Sequence, residues 1–280
     1  MIQYILYKVM KLILKDSVKA TKFSAIFQHL KQLVENIVIY FSNTGLYIQG
    51  MDNSQICLFE CKLSASWFDE YSYSDGVDDP KVCLATGILY KVISAVEDNQ
   101  IIEISYEGNT DLLHIKFGDR KNWTIHSSNL FNKHFEIALI DLDTELLIIP
   151  DQETHVDLKM ETIVFSKLIT QLLIFSDQLT LTFTDEDIQF KTSGIEGGMS
   201  SKIDLDDVNE YAIGEDSVLT QSYSLAIINM MCNFSKLNKN ISMGFSDNMP
   251  MSFVYNLSSD DDEDNKTCFV GFYLAPRIED

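Results

Sequence analysis

The sequence predicts an α+β fold of two similar domains, each with helices packed on antiparallel sheet, and three observations carry that expectation. A pattern of 27 residues occurs twice without a gap, 142 positions apart, so that residues 23–49 overlay residues 165–191. Within each copy the apolar residues recur first at helical spacing and then at spacing two. The chain has 280 residues, 46% of them hydrophobic, enough for two cores in the usual domain range of about 100–150 residues.

The pairs Phe23/Phe165, Ile26/Leu168, Phe27/Ile169, Leu30/Leu172 and Leu33/Phe175 set the helical stripe. Ile37/Leu179, Ile39/Leu181 and Phe41/Phe183 then alternate as in a strand. Polar breaks follow at residues 42–44 and 184–186, and a second alternating run starts at Leu46/Ile188 and continues to Ile48/Phe190, as a hairpin requires. Helices are expected at 17–34, 86–96, 163–176 and 222–239. Strands are expected at 37–41, 46–49, 56–63, 101–106, 112–117 and 122–127, and again at 179–183, 188–191, 199–205, 241–246, 252–257 and 268–274. The spacing lies far outside the roughly 20–50 residues of solenoid repeats, so one domain is duplicated within the chain. Between the halves, Leu146, Leu147, Ile148 and Ile149 form an apolar cluster where a linker is normally polar. Either this is a core strand, or it crosses the surface and offers apolar groups to a docking partner.

A formal charge of -21 argues at first against a nucleic-acid partner. Its distribution reverses that. None of the 42 acidic residues falls in the four expected helices, which hold Lys19, Lys22, Lys31, Lys91, Lys167, Lys236 and Lys239. Acid excluded from one set of elements suits a surface that faces phosphate; the plainer alternative is packing helices whose buried faces exclude carboxylates anyway. The five cysteines (Cys57, Cys61, Cys83, Cys232, Cys268) sit in apolar patterns and read as reduced core residues. The histidines His29, His114, His126, His134 and His155 lack cysteine or carboxylate partners at metal spacing, so no metal or other cofactor is expected, and His29 is placed on a polar surface. Residues 194–198 read as a turn and the acidic run 260–264 as a solvated hairpin tip. There is no phosphate loop, dinucleotide fingerprint or nucleophile elbow, and no catalytic constellation. No run approaches the roughly 18 apolar residues of a membrane span, and the apolar start lacks a cleavage site, so neither a membrane nor an export route is expected.

The run from Ile48 to Ser54, the connector from Leu139 to Pro150, and the ending from Tyr273 to Glu279 closely resemble the proliferating cell nuclear antigen family, the sliding clamps of eukaryotic DNA replication. The resemblance spans nearly the whole chain. It implies a non-enzymatic DNA polymerase processivity factor: a head-to-tail homotrimeric ring with helices inside around duplex DNA, which it binds without regard to sequence, and sheets outside. Implied partners are DNA polymerase, other proteins with a clamp-binding motif, and a clamp loader. The implied location is the nucleus, or a viral replication compartment if the chain is virus-encoded. Domains are expected at 1–139 (with 1–9 as an extension) and 157–280, joined by a connector at 140–156.

By the same resemblance a partner-peptide groove is walled by Met51, Ile56, Leu58, Leu147, Ile149, Pro150, Pro250, Tyr273, Leu274, Ala275, Pro276 and Arg277, the backbone at 275–277 offering hydrogen bonds. The seven helix lysines named above face DNA. A strand between Asn129 and Leu139 meets one near residues 198–205 of the next subunit, with Met199, Ile203 and Leu205 burying one face. The sequence departs from the family in carrying Ser24, Ala25 and Thr170 at usually basic helix positions, and Gln189 where a ubiquitin-accepting lysine is usual, with Lys191 two residues on. The alternative is a clamp-fold transcription or checkpoint factor that does not form a homotrimeric ring.

Overall fold

The computed structural model describes residues 10–74, 81–108, 110–119, 133–142, 144–149, 153–258 and 267–278. The strand expected at 122–127, the acidic run 260–264, Asn129, Pro150 and residues 1–9 lie outside the described residues.

The chain opens with β1 (Met10–Leu14), α1 (Ser17–Leu33), β2 (Asn36–Ser42), β3 (Gly45–Met51), β4 (Cys57–Ser64), a 3-10 turn (Ala65–Trp67), β5 (Glu70–Tyr73), β6 (Lys81–Ala85), α2 (Thr86–Ile93), β7 (Gln100–Tyr106), β8 (Leu112–Asp119) and β9 (Lys133–Ala138). The same order follows again: β10 (Val156–Glu161), α3 (Thr162–Leu172), β11 (Gln178–Phe183), β12 (Asp187–Gly194), β13 (Gly197–Asp204), a 3-10 turn (Leu205–Asp207), β14 (Glu210–Ile213), β15 (Leu219–Ser224), α4 (Leu225–Cys232) with a 3-10 extension (Asn233–Lys236), β16 (Asn240–Phe245), β17 (Met251–Asn256) and β18 (Phe269–Leu274). The repeat seen in the sequence is therefore a window on a duplication that runs through every element. Three expected helices end early: 86–96 stops at Ile93, 163–176 at Leu172, and 222–239 becomes α4 at Leu225–Cys232, because Ser222, Tyr223 and Ser224 end β15, paired with β11, and Asn233–Lys236 is 3-10.

The described residues form two compact units, the first from Met1–Gly50, Cys61–Leu146 and Ser258–Cys268, the second from Met51–Glu60, Leu147–Leu257 and Phe269–Asp280. In the first, one antiparallel sheet runs β5-β1-β7-β8-β9, and β6, β2 and β3 are followed by the later half of β4. Asp16 caps α1 by accepting from the N–H groups of Val18 (2.6 Å) and Lys19 (3.1 Å), two donors the helix itself leaves free. The buried face of α1 carries Phe23, Ile26, Phe27 and Leu30, and α2 packs against this helix. Phe23 meets Phe27 edge-on at 5.0 Å, and the chain of rings continues through Trp67 and Phe68. Gly45 is obligatory by geometry: its φ is +141°, and a Cβ there would stand 2.1 Å from the Leu63 carbonyl oxygen.

In the second unit one sheet runs β14-β10-β16-β17-β18 with the first half of β4 beyond β18, and the other runs β13-β12-β11-β15. Phe165 on α3 packs on Phe190 at 6.2 Å and Phe253 at 5.6 Å. β12 and β13 are joined by a two-residue loop, Ile195 and Glu196, the turn the glycines announce. Tyr71 donates to the carbonyls of Ser42 (2.7 Å) and Gly45 (2.9 Å), and in the second copy Tyr211 donates to Thr184 (2.7 Å), so the same phenol ties strand to hairpin in both units.

Candidate partner groove and DNA face

The described residues expected to wall a groove all belong to the second unit, and local hydrogen bonding shapes the turn that carries Ile56. Asp52, only 6% exposed, accepts from the backbone N–H groups of Ser54 (2.8 Å), Ile56 (2.9 Å) and Cys57 (2.8 Å). That triple acceptance, with Gln55 at φ 58°, shapes the turn between β3 and β4. It leaves Ile56 exposed, while alternation along β4 turns Leu58 outward and buries Cys57 and Phe59. On β18 Tyr273 is half-buried and its hydroxyl donates to Glu60 Oε1 at 2.7 Å.

Leu274 corrects the sequence reading. It is 0% exposed and paired with Met251, so it fills the core instead of walling a groove; one step along a strand reverses the face. The following tail is pinned. Ala275 N–H donates to Ile56 O (3.0 Å), Arg277 N–H to Ser222 O (2.7 Å), and the Arg277 guanidinium pairs with Asp177, which also accepts from Ala226 N–H (2.6 Å) at the start of α4. Pro276 has no N–H. What this backbone offers a guest is carbonyl oxygen, which narrows the expected hydrogen bonding to acceptance only.

Pro250 is half-buried, and of the connector residues Leu147 and Ile148 are exposed (48% and 93%) and Ile149 is half-buried, with no strand assigned to 144–149. Of the two sequence alternatives, the surface-crossing segment is the one adopted. Leu147 and Ile149 belong to the same unit as Ile56, Leu58 and Tyr273.

All four helices lack acidic residues; Asp16 and Glu161 stand at their N-terminal boundaries, where the helix dipole favours them. Lys91, Lys167, Lys236 and Lys239 are exposed. Others are less free than their spacing suggests. Lys19 and Lys22 are half-buried, burial pushing the Lys22 ammonium below its ordinary pKa, and Lys31 Nζ sits 4.1 Å over the Tyr90 ring. On α3 the exposed neighbours of Lys167 include Ile163 and Val164, an apolar surface that counting lysines did not reveal.

At the sheet ends, β9 and β13 each have a single neighbour among the described residues, β8 and β12 respectively. Met199 and Ile203 alternate half-buried on β13, Leu205 is half-buried in the turn that follows, and Leu139, after β9, donates its N–H to Asp111 O at 2.9 Å. Gln189 and Lys191 are exposed on β12.

The cysteines are all free and buried, and burial pushes the Cys57 and Cys232 thiols up to about 12, leaving them inert. Two histidine expectations are corrected. His29 is half-buried with both ring nitrogens shielded from solvent, and His114 converges on His134 and Glu136 across paired strands, a proximity that linear spacing does not encode.

A duplicated α+β unit with carboxylate-free helices and, among the described residues, open edges on β9 and β13 is the architecture of the DNA sliding clamps. The family model for the proliferating cell nuclear antigen N-terminal domain matches residues 14–146, and that for its C-terminal domain matches residues 148–276. The proliferating cell nuclear antigen of Chaetomium thermophilum is 24% identical over 258 residues, covering 90% of this chain and 92% of that protein. The crystal structure of that from Entamoeba histolytica shares the fold at a TM-score of 0.80 and 18% identity, covering 97% of this chain and 100% of the other. The chain belongs to the proliferating cell nuclear antigen family. It is a sliding clamp and processivity factor of DNA replication, with DNA and clamp-binding proteins such as polymerases as partners; the family is a non-catalytic scaffold.

Proposed function

We propose that this clamp acts as a head-to-tail homotrimeric ring, loaded by a clamp loader, with domains 1–139 and 157–280 joined by the connector 140–156. The observation that carries the proposal is the inventory of sheet edges. In the repeat, β18 corresponds to β9 and β4 corresponds to β13. The edge of β18 is covered by β4, whereas β9 and β13 keep open edges among the described residues. Two unlike open edges on each copy, matched to a pair that already forms once in the chain, suit a heterologous contact that closes into a ring. Light scattering at micromolar concentration should give three times the 32.0 kDa of one chain; a monomer under all conditions overturns the ring.

Within that ring the helix lysines attract phosphate without reading bases, and topology rather than affinity retains the DNA. Binding to linear duplex should vanish at a salt concentration at which clamps loaded on circular DNA persist. Changing Lys22, Lys91 and Lys167 together to alanine should reduce polymerase stimulation at physiological salt, and unchanged stimulation would remove them from the DNA face. The groove receives a short peptide whose aromatic and aliphatic anchors meet Ile56, Leu58, Tyr273 and the connector, while a side-chain amide donates to the carbonyls at 275–277. The place of action is the nucleus, or a viral replication compartment for a virus-encoded chain. Support for the nuclear assignment comes from the family's nuclear replication factors.

A further inference from the structure

On the outer end of the β7-β8-β9 sheet three side chains with metal-binding atoms meet. His114 on β8 stands directly opposite Glu136 on β9, and His134, two residues before Glu136, lies on the same face opposite Lys116. His114 Nδ1 is 3.3 Å from His134 Nε2 and 3.7 Å from Glu136 Oε1, and one ligand atom from each of the three lies within 4.8 Å of the others. Zinc–nitrogen and zinc–oxygen bonds of about 2.0–2.2 Å set neighbouring ligands of a tetrahedral ion about 3.3 Å apart. The two imidazoles already stand at that separation. Glu136, with a side chain 53% exposed, has room to turn its carboxylate inward, whereas the His114 side chain is only 15% exposed and well held.

We infer that His114, His134 and Glu136 form a binding site for a divalent transition-metal ion of the zinc type. Two imidazoles and one carboxylate are a donor set that such ions prefer to calcium or magnesium, which take oxygen ligands. Three protein ligands leave a fourth position for water or for a donor from another molecule. The backbone is prepared, because all three residues sit on hydrogen-bonded strands, and binding fixes only side chains. Surrounding charges are mixed: Lys116 opposes a cation, while Glu103 on β7, bridged to Lys11 on β1 at 3.4 Å, favours it. All three ligands come from one chain, two of them from β9.

Metal-stripped full-length protein should be titrated with zinc chloride in a calorimeter, beside the variant His114→Gln/His134→Gln and the milder Glu136→Gln, with circular dichroism to verify their folding. The parent should bind one zinc ion per chain and melt at a higher temperature when zinc is added. Affinity should fall roughly tenfold or more in Glu136→Gln and be lost in the double variant. Cobalt(II) in place of zinc should give the intense visible band of a four-coordinate site in the parent alone. Failure of the parent to bind zinc, or equal binding by the folded double variant, overturns the inference; in the second case the ion belongs to other groups, such as the acidic run 260–264.

Discussion

Phe23 and Phe165 occupy the same place in two copies of one repeat and are equally buried, yet their neighbours differ. Phe23 lies among Phe27, Trp67 and Phe68, the last two supplied by the 3-10 turn after β4 and the residue beyond it. In the second copy that turn reads Leu205, Asp206, Asp207 and buries nothing, and Phe165 instead reaches across to Phe190 and Phe253. Topology and a few strategic hydrogen bonds are shared by the units; the filling of the core is not. A layered α+β frame thus specifies where a helix must lie, while volume is made up by whichever element has side chains to spare.

The helices teach a parallel lesson. α1 and α2 carry Lys19, Lys22, Lys31 and Lys91, whereas α3 carries Lys167 one turn after the exposed Ile163 and Val164, and α4 carries no lysine before its 3-10 extension. Exposed lysines occur in both units, Lys31 and Lys91 in the first and Lys167, Lys236 and Lys239 in the second, so both are expected to contribute to DNA attraction. Exchanging Lys19, Lys22 and Lys31 for alanine should flatten the salt dependence of DNA binding by up to about 0.9 per lost phosphate contact, and Lys167→Ala by at most one such step.

The largest effect is expected at the edges of β9 and β13, open among the described residues. Ile203→Asp places a charge on the half-buried face of β13 and should convert the assembly to single chains in sedimentation, with both cores intact; an unchanged mass would show that β13 is not the joining edge. Next, Phe23→Ala and Phe165→Ala should each destabilise by about 3–5 kcal/mol. In calorimetry each should depress the unfolding of its own unit, and equal depression of a single shared transition would mean that the units do not melt separately. Smaller again is the effect expected at the proposed groove of the second unit. Leu147→Ala/Ile149→Ala should weaken binding of a Gln-X-X-aliphatic-X-X-aromatic-aromatic peptide at least tenfold, about 1.4 kcal/mol, read by fluorescence polarisation.

The smallest expected effects belong to the phenols. Tyr71→Phe and Tyr211→Phe should each cost about 0.5–1.5 kcal/mol in denaturant melts, Tyr71 the more because it donates to two carbonyls. Burial, first among the causes, pushes both phenols up to about 12. The sign follows: the folded state holds the proton more tightly, so this contribution is whole below pH 10 and is lost as pH rises through about 12. Stability measured across that range should fall less steeply in the double phenylalanine variant.

Much of this was legible in the sequence, for definite reasons. α1 and the hairpins β2-β3 and β11-β12 bury one face, so their spacing shows. β1 and β6 are buried on nearly both sides and lose alternation, which hid them. The helix expected at 222–239 runs long because Ser224, which ends β15 and caps α4 by accepting from the Ile227 N–H, reads in sequence as an interior helix residue. Alternation made Ile56, Leu58 and Tyr273 readable as outward residues, but Leu274 was carried along with its neighbours against that same rule. The His114, His134 and Glu136 cluster is invisible in one dimension, since only the register of β8 on β9 brings residues twenty positions apart to one spot.

The pinned tail has a chemical consequence. With the Ala275 and Arg277 N–H groups engaged and Pro276 lacking one, residues 275–277 present lone pairs to whatever docks beside them. Such a surface recognises a proton rather than a charge. A glutamine amide satisfies it; the same residue deamidated to glutamate arrives carrying only acceptors, and oxygen faces oxygen. One slow, uncatalysed hydrolysis in a bound peptide would then be enough to turn a ligand into a stranger, with no change at all in the clamp.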